Sequence, residues 1–303
     1  LDLPFSLVRN FSLEKRYGFN TMSLRIWTTD LLKSLAVSSI IGLVAVLSVL
    51  ALIRWSPQGW WFLVWLFFLF FGIFLMYLSP LVIEPLFFKF EQLKVEGLEE
   101  RVRALMERAG LTVSRVFQVD ASRRSRHSNA YFTGIGRVKR IVLFDTLIQQ
   151  MNQEEVLAVL AHEAGHWKQH HVLKRIILSE ATAFIGTYLA FRLLSWDGLP
   201  GLLGLEGTSL YANVVIVGFL GSIALFPLTP FFSFLSRRYE READRFAAVL
   251  TGQPEAMASA LVKLSRENLS NLHPHPWYAA FYYSHPPVLE RVRSLRDQGR
   301  APG

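Results

Sequence analysis

Two histidines four positions apart flank a glutamate in the segment His162-Glu163-Ala164-Gly165-His166. On a helix, side chains at positions i and i+4 lie on one face, so both imidazoles point at one spot. Two neutral imidazoles suit Zn²⁺ at about 2.0–2.1 Å each. Glu163 is turned off that face, but it can hydrogen-bond a water bound to the metal. The pattern predicts a hydrolytic zinc site; the alternative is a helix with two solvent-exposed histidines.

A catalytic zinc needs a third protein ligand and one open position. The chain has no cysteine, so His, Asp or Glu must supply that ligand. The downstream segment 236–244 offers three carboxylates, of which Glu240 and Asp244 share a helix face while Glu242 points elsewhere. We expect Glu240 to be the third ligand and Asp244 to orient a ligand imidazole. From spacing alone, a solvated run of charges is an equally good interpretation.

Two helices must position these groups. Asn152 can cap a helix that begins near Gln153, with Glu155 placed for a capping box, and apolar residues continue it to about His171. His170, four residues beyond His166, lies one turn too far to be a ligand and is interpreted as a surface or membrane-interface histidine. The other elements predicted for the water-compatible regions are helices over residues 95–110, 240–251 and 286–296 and short strands over 115–119, 130–133 and 140–144.

The composition indicates a membrane protein. Of 303 residues, 51% are hydrophobic and only 18% are charged, against about 25% in soluble proteins. This excludes a disordered chain and an ordinary soluble enzyme with a polar surface. Uncharged runs at residues 35–53 and 60–83 are long enough to cross a bilayer, and residues 207–236 form a third candidate. Residues 176–196 are a weak fourth candidate, because two charged residues lie inside this segment.

Topology links the membrane spans to the metal hypothesis. His166 and Glu240 must lie on the same side of the membrane to share an ion, so the weak span at 176–196 must cross if 207–236 does. Lys and Arg are concentrated in the N-terminal segment, in residues 84–175 and in the C-terminal region, which predicts a cytoplasmic catalytic side. The net charge of +8 fits contact with anionic lipid, and no nucleic-acid motif accompanies it.

The predicted fold is mainly α: a polytopic helical membrane protein with a small α+β zinc-metalloprotease domain. Four segments are expected along the chain. They are an N-terminal segment with a transmembrane hairpin (1–83), a catalytic region with short strands and the His162–His166 helix (84–175), a second transmembrane hairpin (176–235), and a segment with the Glu240–Asp244 helix that completes the zinc site (236–303).

Further motifs give the chain a resemblance to a known family. It resembles the integral-membrane zinc endopeptidases of the CAAX prenyl protease type 1 family, and together the matching stretches are far more specific than the two-histidine motif alone. These stretches, which are distributed along nearly the whole chain, are residues 3–7, 14–20, 85–91, 119–125, 127–134, 139–147, 162–166, 236–244 and 284–287.

The resemblance implies roles for seven residues: zinc ligands His162, His166 and Glu240, general base Glu163, an assisting Asp244, and Asn129 and His285 near the bound substrate. Judged by its position alone, Asn129 fits a turn residue at a strand start, and His285 fits a capping residue before two prolines. Family members typically have seven spans around a water-filled chamber. This chain shows four candidates, so upstream spans are expected to be missing from this sequence.

The predicted function is a zinc endopeptidase that cleaves near the C-terminus of prenylated, CAAX-type, or otherwise membrane-presented peptides. Its expected partners are one Zn²⁺ per chain, a peptide or protein substrate and the lipid bilayer. One alternative is a general quality-control metalloprotease of the membrane. Another is a non-enzymatic membrane scaffold, although a purely structural zinc site would not need Glu163.

Overall fold

The structure, a computed structural model, describes residues 2–133, 138–205 and 208–300, and these residues are mostly helical. The α-helices are α1 (Leu3–Val8), α2 (Leu24–Trp55), α3 (Trp60–Leu78), α4 (Glu84–Phe87), α5 (Leu98–Arg108), α6 (Asp145–Gln150), α7 (Gln153–Lys168), α8 (His171–Leu194), α9 (Leu210–Leu225), α10 (Thr229–Thr251), α11 (Pro254–Glu267), α12 (Pro276–Tyr282) and α13 (Val288–Arg300). The strands are β1 (Phe90–Gln92), β2 (Thr112–Val119), β3 (Ala130–Thr133) and β4 (Val138–Phe144).

Four helical segments in the described part of the chain are long and apolar enough to cross a membrane: Leu24–Trp55, Trp60–Phe87, His171–Leu194 and Tyr211–Thr251. The weak predicted span at 176–196 therefore forms most of α8, as a shared metal site requires. Residue 207, the predicted start of another span, lies outside the described residues. That span includes the turn at Phe226–Leu228 and continues into α10, so the predicted segment boundary between 235 and 236 falls within one helix.

The sheet places one free strand edge beside the helices. Its order is β1-β2-β4-β3, with β2 and β4 parallel and the two outer pairs antiparallel. β3 has the predicted bounds, whereas the short edge strand β1 was not predicted. Ile141 and Leu143 of β4 are fully buried beneath the helices, while β3 pairs on one side only among the described residues. An unpaired edge can accept an extended peptide as an additional strand.

Helix α7 is the centre of the packed core. Leu160, Ala161 and Ala164 are fully buried between the sheet and helices α5, α10 and α11. The predicted capping box at its start is confirmed: the Glu155 amide donates to the Asn152 side chain, and the Asn152 amide donates to the Glu155 carboxylate, both at 2.9 Å. Burial on several sides and a satisfied N-terminus fix the helix that carries the two-histidine motif.

The predicted end of this helix, about His171, was wrong. The helix ends at Lys168, and His170 adopts a left-handed backbone conformation with φ +58° before α8 begins at His171. A left-handed residue cannot continue a right-handed helix, so the chain changes direction here. The change of direction means that helical spacing does not apply to residues beyond the break.

Candidate metal centre

Helices α7 and α10 approach each other closely at the site. A Cβ atom added to Gly165 would lie 3.1 Å from the Cα of Ala243 and 3.2 Å from the Cβ of Phe246. A side chain at this position would force the two helices apart by a few tenths of an ångström, so glycine permits the close approach that brings the motif of α7 against the carboxylates of α10. The small residues Ala243 and Ala247 on α10 are fully buried in the same contact.

Three potential ligand side chains meet where the two helices touch. His162 Nε2 and His166 Nε2 are 3.2 Å apart; the first lies 3.3 Å from Oε2 of Glu240, and the second lies 3.3 Å from Oε1 of the same carboxylate. Ligands held at about 2.0–2.1 Å in a tetrahedron lie about 3.3–3.4 Å from one another. The separation of the two imidazole nitrogens is close to this value, and the three side chains form a group that could hold a metal ion.

The chemistry of these donors also fits a cation. Oε2 of Glu240 is buried and accepts no hydrogen bond within the described part of the chain, although His162 Nε2 lies 3.3 Å away and Arg291 Nη1 lies 3.7 Å away. An orphaned buried carboxylate oxygen is costly unless an ion satisfies it. Burial lowers the pKa of His162, but the carboxylates of Asp244 and Glu240 outweigh this effect and raise that pKa to about 9. In the metal-free protein, protons therefore compete with a metal for this imidazole.

Glu163 lies next to these three residues but is not one of them. Its side chain lines the cavity that opens in front of His162 and His166. Burial raises the pKa of Glu163, and the neighbouring imidazoles only partly oppose this effect. Glu163 therefore binds a proton more readily than an exposed glutamate does, which is the direction that general-base catalysis requires.

Asp244 lies behind the first imidazole. Its Oδ1 is 2.8 Å from Nδ1 of His162, on the side opposite the metal-facing nitrogen. Arg291 of α13 binds the same carboxylate through two contacts, at 2.7 and 2.8 Å, and is itself buried. Arg291 was not predicted from the sequence, because it lies in an arginine-rich helix whose pattern is typical of a solvated face.

A different chain of contacts lies behind the second imidazole. His166 Nδ1 is 3.0 Å from His171 Nδ1, and His171 Nε2 is 3.0 Å from a carboxylate oxygen of Glu242. The His171 side chain is only 1% exposed. Both residues were missed: Glu242 was expected to point away from the site, and the break at His170 hid the position of His171. The spacing of residues along the sequence gave no indication that Glu242 or His171 would lie at the site.

The two residues expected near a substrate are placed differently. His285 lines the cavity, with Nε2 3.4 Å from Oε1 of Glu240 and Nδ1 3.0 Å from the Ser284 hydroxyl. Asn129 lies just before β3, and its Oδ1 accepts a hydrogen bond from the Ala130 amide at 2.9 Å. His285 is therefore at the site, whereas Asn129 lies at the start of the neighbouring strand and does not line the cavity.

The cavity joins the metal centre to the strand edge. It has a volume of about 420 Å³, and one wall consists of Tyr131, Phe132 and Thr133 of β3. His162, Glu163 and the other polar groups of the site line the same cavity. An extended peptide paired with β3 would therefore pass directly in front of the metal ligands.

A two-histidine metal motif with a neighbouring carboxylate, set among membrane-length helices, defines a membrane metalloprotease. The profile of peptidase family M48 matches residues 92–298, and the profile described as the N-terminal region of CAAX prenyl protease, with five membrane helices, matches residues 1–89. The chain belongs to the CAAX prenyl protease type 1 family of zinc metalloproteases.

Individual relatives agree over nearly the full chain. The CAAX prenyl protease 1 homolog of Arabidopsis thaliana is 37% identical over 313 residues, which cover 99% of this chain and 70% of the plant protein. CAAX prenyl protease 1 of Saccharomyces cerevisiae is 35% identical and covers 97% of this chain and 68% of its own. The crystal structure of S. mikatae Ste24p superposes with a TM-score of 0.90 at 32% identity, covering 97% of this chain and 72% of that one.

Proposed function

We propose that this chain is a zinc endopeptidase that cleaves near the C-terminus of prenylated, CAAX-type, or otherwise membrane-presented peptides. The observation that carries the proposal is that Nε2 of His162 and Nε2 of His166 lie 3.2 Å apart and each lies 3.3 Å from one oxygen of the Glu240 carboxylate, beside a cavity with a free strand edge. The names of the relatives support the substrate class, and the distribution of Lys and Arg supports a cytoplasmic catalytic side.

In this proposal the free edge of β3 binds the substrate. The backbone groups of Tyr131 to Thr133 that face the cavity would pair with an extended peptide, and Asn129 at the start of the strand would hold the peptide backbone as it enters. Pairing of this kind fixes the peptide along the cavity and leaves side-chain choice to the surrounding walls. The scissile carbonyl then lies within reach of the groups on α7 and α10.

In this proposal Glu163 transfers the proton during hydrolysis. Zn²⁺ held by His162, His166 and Glu240 would polarise the scissile carbonyl and acidify water. Glu163 accepts the proton of the attacking water and afterwards passes it to the nitrogen of the leaving amine, so that one carboxylate serves as base and then as acid. His285, at the mouth of the cavity, would donate a hydrogen bond to the oxygen that gains negative charge. Asp244 holds His162 in the orientation that exposes Nε2.

A paired-substrate assay tests this function. The full chain in lipid nanodiscs is given a farnesylated C-terminal peptide and its unprenylated twin, with the Glu163→Gln protein as the inactive control. We expect cleavage of both by the parent, with kcat/KM for the farnesylated peptide at least about tenfold higher, since burial of even a few CH₂ groups contributes this much. Equal rates would assign the chain to general membrane quality control, and no cleavage of either would contradict the proposal.

A further inference from the structure

His171 is the most deeply buried polar side chain that the proposed chemistry does not use. Its ring stacks on Tyr239, with ring centroids 4.3 Å apart and an angle of 15° between the planes. One ring nitrogen contacts His166, and the other contacts Glu242, which also accepts a hydrogen bond from Arg238 at 2.9 Å. Every polar atom of this buried ring therefore has a partner, and the ring is held in one orientation.

The proton positions along these contacts follow from the role of His166. If Nε2 of His166 offers its lone pair to a metal, the neutral ring carries its proton on Nδ1. Nδ1 of His171 lies 3.0 Å away and must then be the acceptor, so His171 carries its own proton on Nε2. That nitrogen donates to the Glu242 carboxylate at 3.0 Å. A single arrangement of protons satisfies all three side chains.

The arrangement differs from the one behind the other ligand. His162 is backed directly by a carboxylate, Asp244, whereas the carboxylate behind His166 acts through an intervening imidazole. Partners of this kind fix the tautomer and orientation of a ligating histidine and raise its basicity, and their loss typically weakens metal binding about 10- to 100-fold.

We infer that His171 is a positioning residue for the metal centre, which with Glu242 holds His166 in the tautomer and orientation that present Nε2 to the zinc. The inference rests on the proposed ligand set. Its physical content is that His171 acts as a hydrogen-bond acceptor at the position of Nδ1, and not only as a buried ring that fills space beside Tyr239.

Zinc affinity, measured by competition with a chelating dye on the detergent-solubilised full chain, tests the inference. His171→Phe keeps the ring and its stacking but removes the acceptor, and we expect the zinc dissociation constant to rise about 10- to 100-fold. His171→Asn places an amide oxygen near the position of Nδ1 and should recover most of the affinity. His171→Gln carries its amide further out, near the position of Nε2, and should not.

The matched control is His170→Asn, which changes the exposed neighbouring histidine to a residue that tolerates its left-handed backbone. Its zinc affinity should equal that of the parent. Affinity of His171→Phe within twofold of the parent would overturn the inference, as would equal losses in His171→Asn and His171→Gln. The comparison of zinc affinity between His171→Asn and His171→Gln tests the inference even if His171→Phe does not fold. Unchanged zinc binding in His166→Ala would instead contradict the ligand set itself.

Discussion

The guanidinium of Arg291 binds the carboxylate of Asp244 through two nitrogens, Nε to Oδ2 at 2.8 Å and Nη2 to Oδ1 at 2.7 Å. A third nitrogen, Nη1, lies 3.7 Å from Oε2 of Glu240. One buried cation from α13 therefore lies between the two carboxylates that α10 contributes to the site. Two parallel hydrogen bonds between a guanidinium and a carboxylate have a fixed geometry, so α13 also orients Asp244 toward His162.

Removal of this cation should destabilise the fold. Arg291→Met leaves Asp244 buried without the guanidinium, with His162 as its remaining contact, and loss of one member of a buried pair typically costs about 3–5 kcal/mol. We expect the free energy of unfolding of the metal-free protein, measured by denaturant titration in mixed detergent, to fall by that amount. Arg293→Met, at an exposed position of the same helix, is the matched control and should change it little. Equal stabilities of the two variants would contradict the assignment.

The close approach at Gly165 should be required for metal binding. A methyl group there meets the Cα of Ala243 at 3.1 Å and must push α7 away from α10. The contact requires the helices to separate by a few tenths of an ångström, and a shift on the order of 1 Å in a catalytic group can cost about 100-fold in rate. We therefore expect Gly165→Ala to weaken zinc binding and peptidase activity about three- to tenfold. Gly186→Ala in α8, where an added Cβ meets nothing within 4 Å, should leave both unchanged.

Glu163 should be needed for turnover and not for zinc binding. Glu163→Gln keeps the shape of the side chain but removes the base, so kcat should fall about 10²- to 10⁴-fold while zinc content stays at the parent level. Zinc is measured by atomic absorption on the same preparation as the activity. Glu154→Gln, in the first turn of the same helix, is the control. Parent-like turnover by Glu163→Gln would contradict the mechanism.

The sequence predicted the local parts of this site and missed the parts that tertiary packing creates. The spacing of His162 and His166 and the capping box at Asn152 depend on a single helix, so periodicity was sufficient to predict them. Arg291 and His171 act across helix contacts instead. Arg291 is buried only because α13 packs on α11 and α10, and His171 reaches His166 only because the backbone turns at His170.

The membrane span formed by α8 shows a second limit of prediction from the sequence. Hydropathy alone left residues 176–196 undecided, because Glu180 and Arg192 interrupt the apolar run. The requirement that His166 and Glu240 share one side of the membrane predicted the crossing, and α8 has the length and composition for it. The chemical hypothesis therefore favours a crossing that the sequence pattern alone left undecided, and the crossing itself stays a prediction.

Acid should weaken the start of α7. Burial pushes the pKa of Glu155 up, but hydrogen bonds from Lys263, Ser259 and the Asn152 amide outweigh this and hold it below 4.5. A lowered pKa contributes stability that is complete above pH 4.5 and is lost as the pH falls through the folded-state value. Glu155→Gln should therefore be less stable than the parent at pH 7.

The difference should shrink below pH 4.5. It is measured as the gap in unfolding free energy between the metal-free parent and Glu155→Gln from pH 7 to below pH 4.5. A gap for Glu155→Gln that stays constant or widens on acidification would show that the carboxylate contributes nothing through its charge.

The most direct test of the metal centre is anomalous diffraction at the zinc edge from crystals of the zinc-loaded protein. The account predicts one peak per chain, about 2.0–2.2 Å from His162 Nε2, His166 Nε2 and a carboxylate oxygen of Glu240. A peak elsewhere in the molecule, or a zinc ion that contacts fewer than these three side chains, would contradict it.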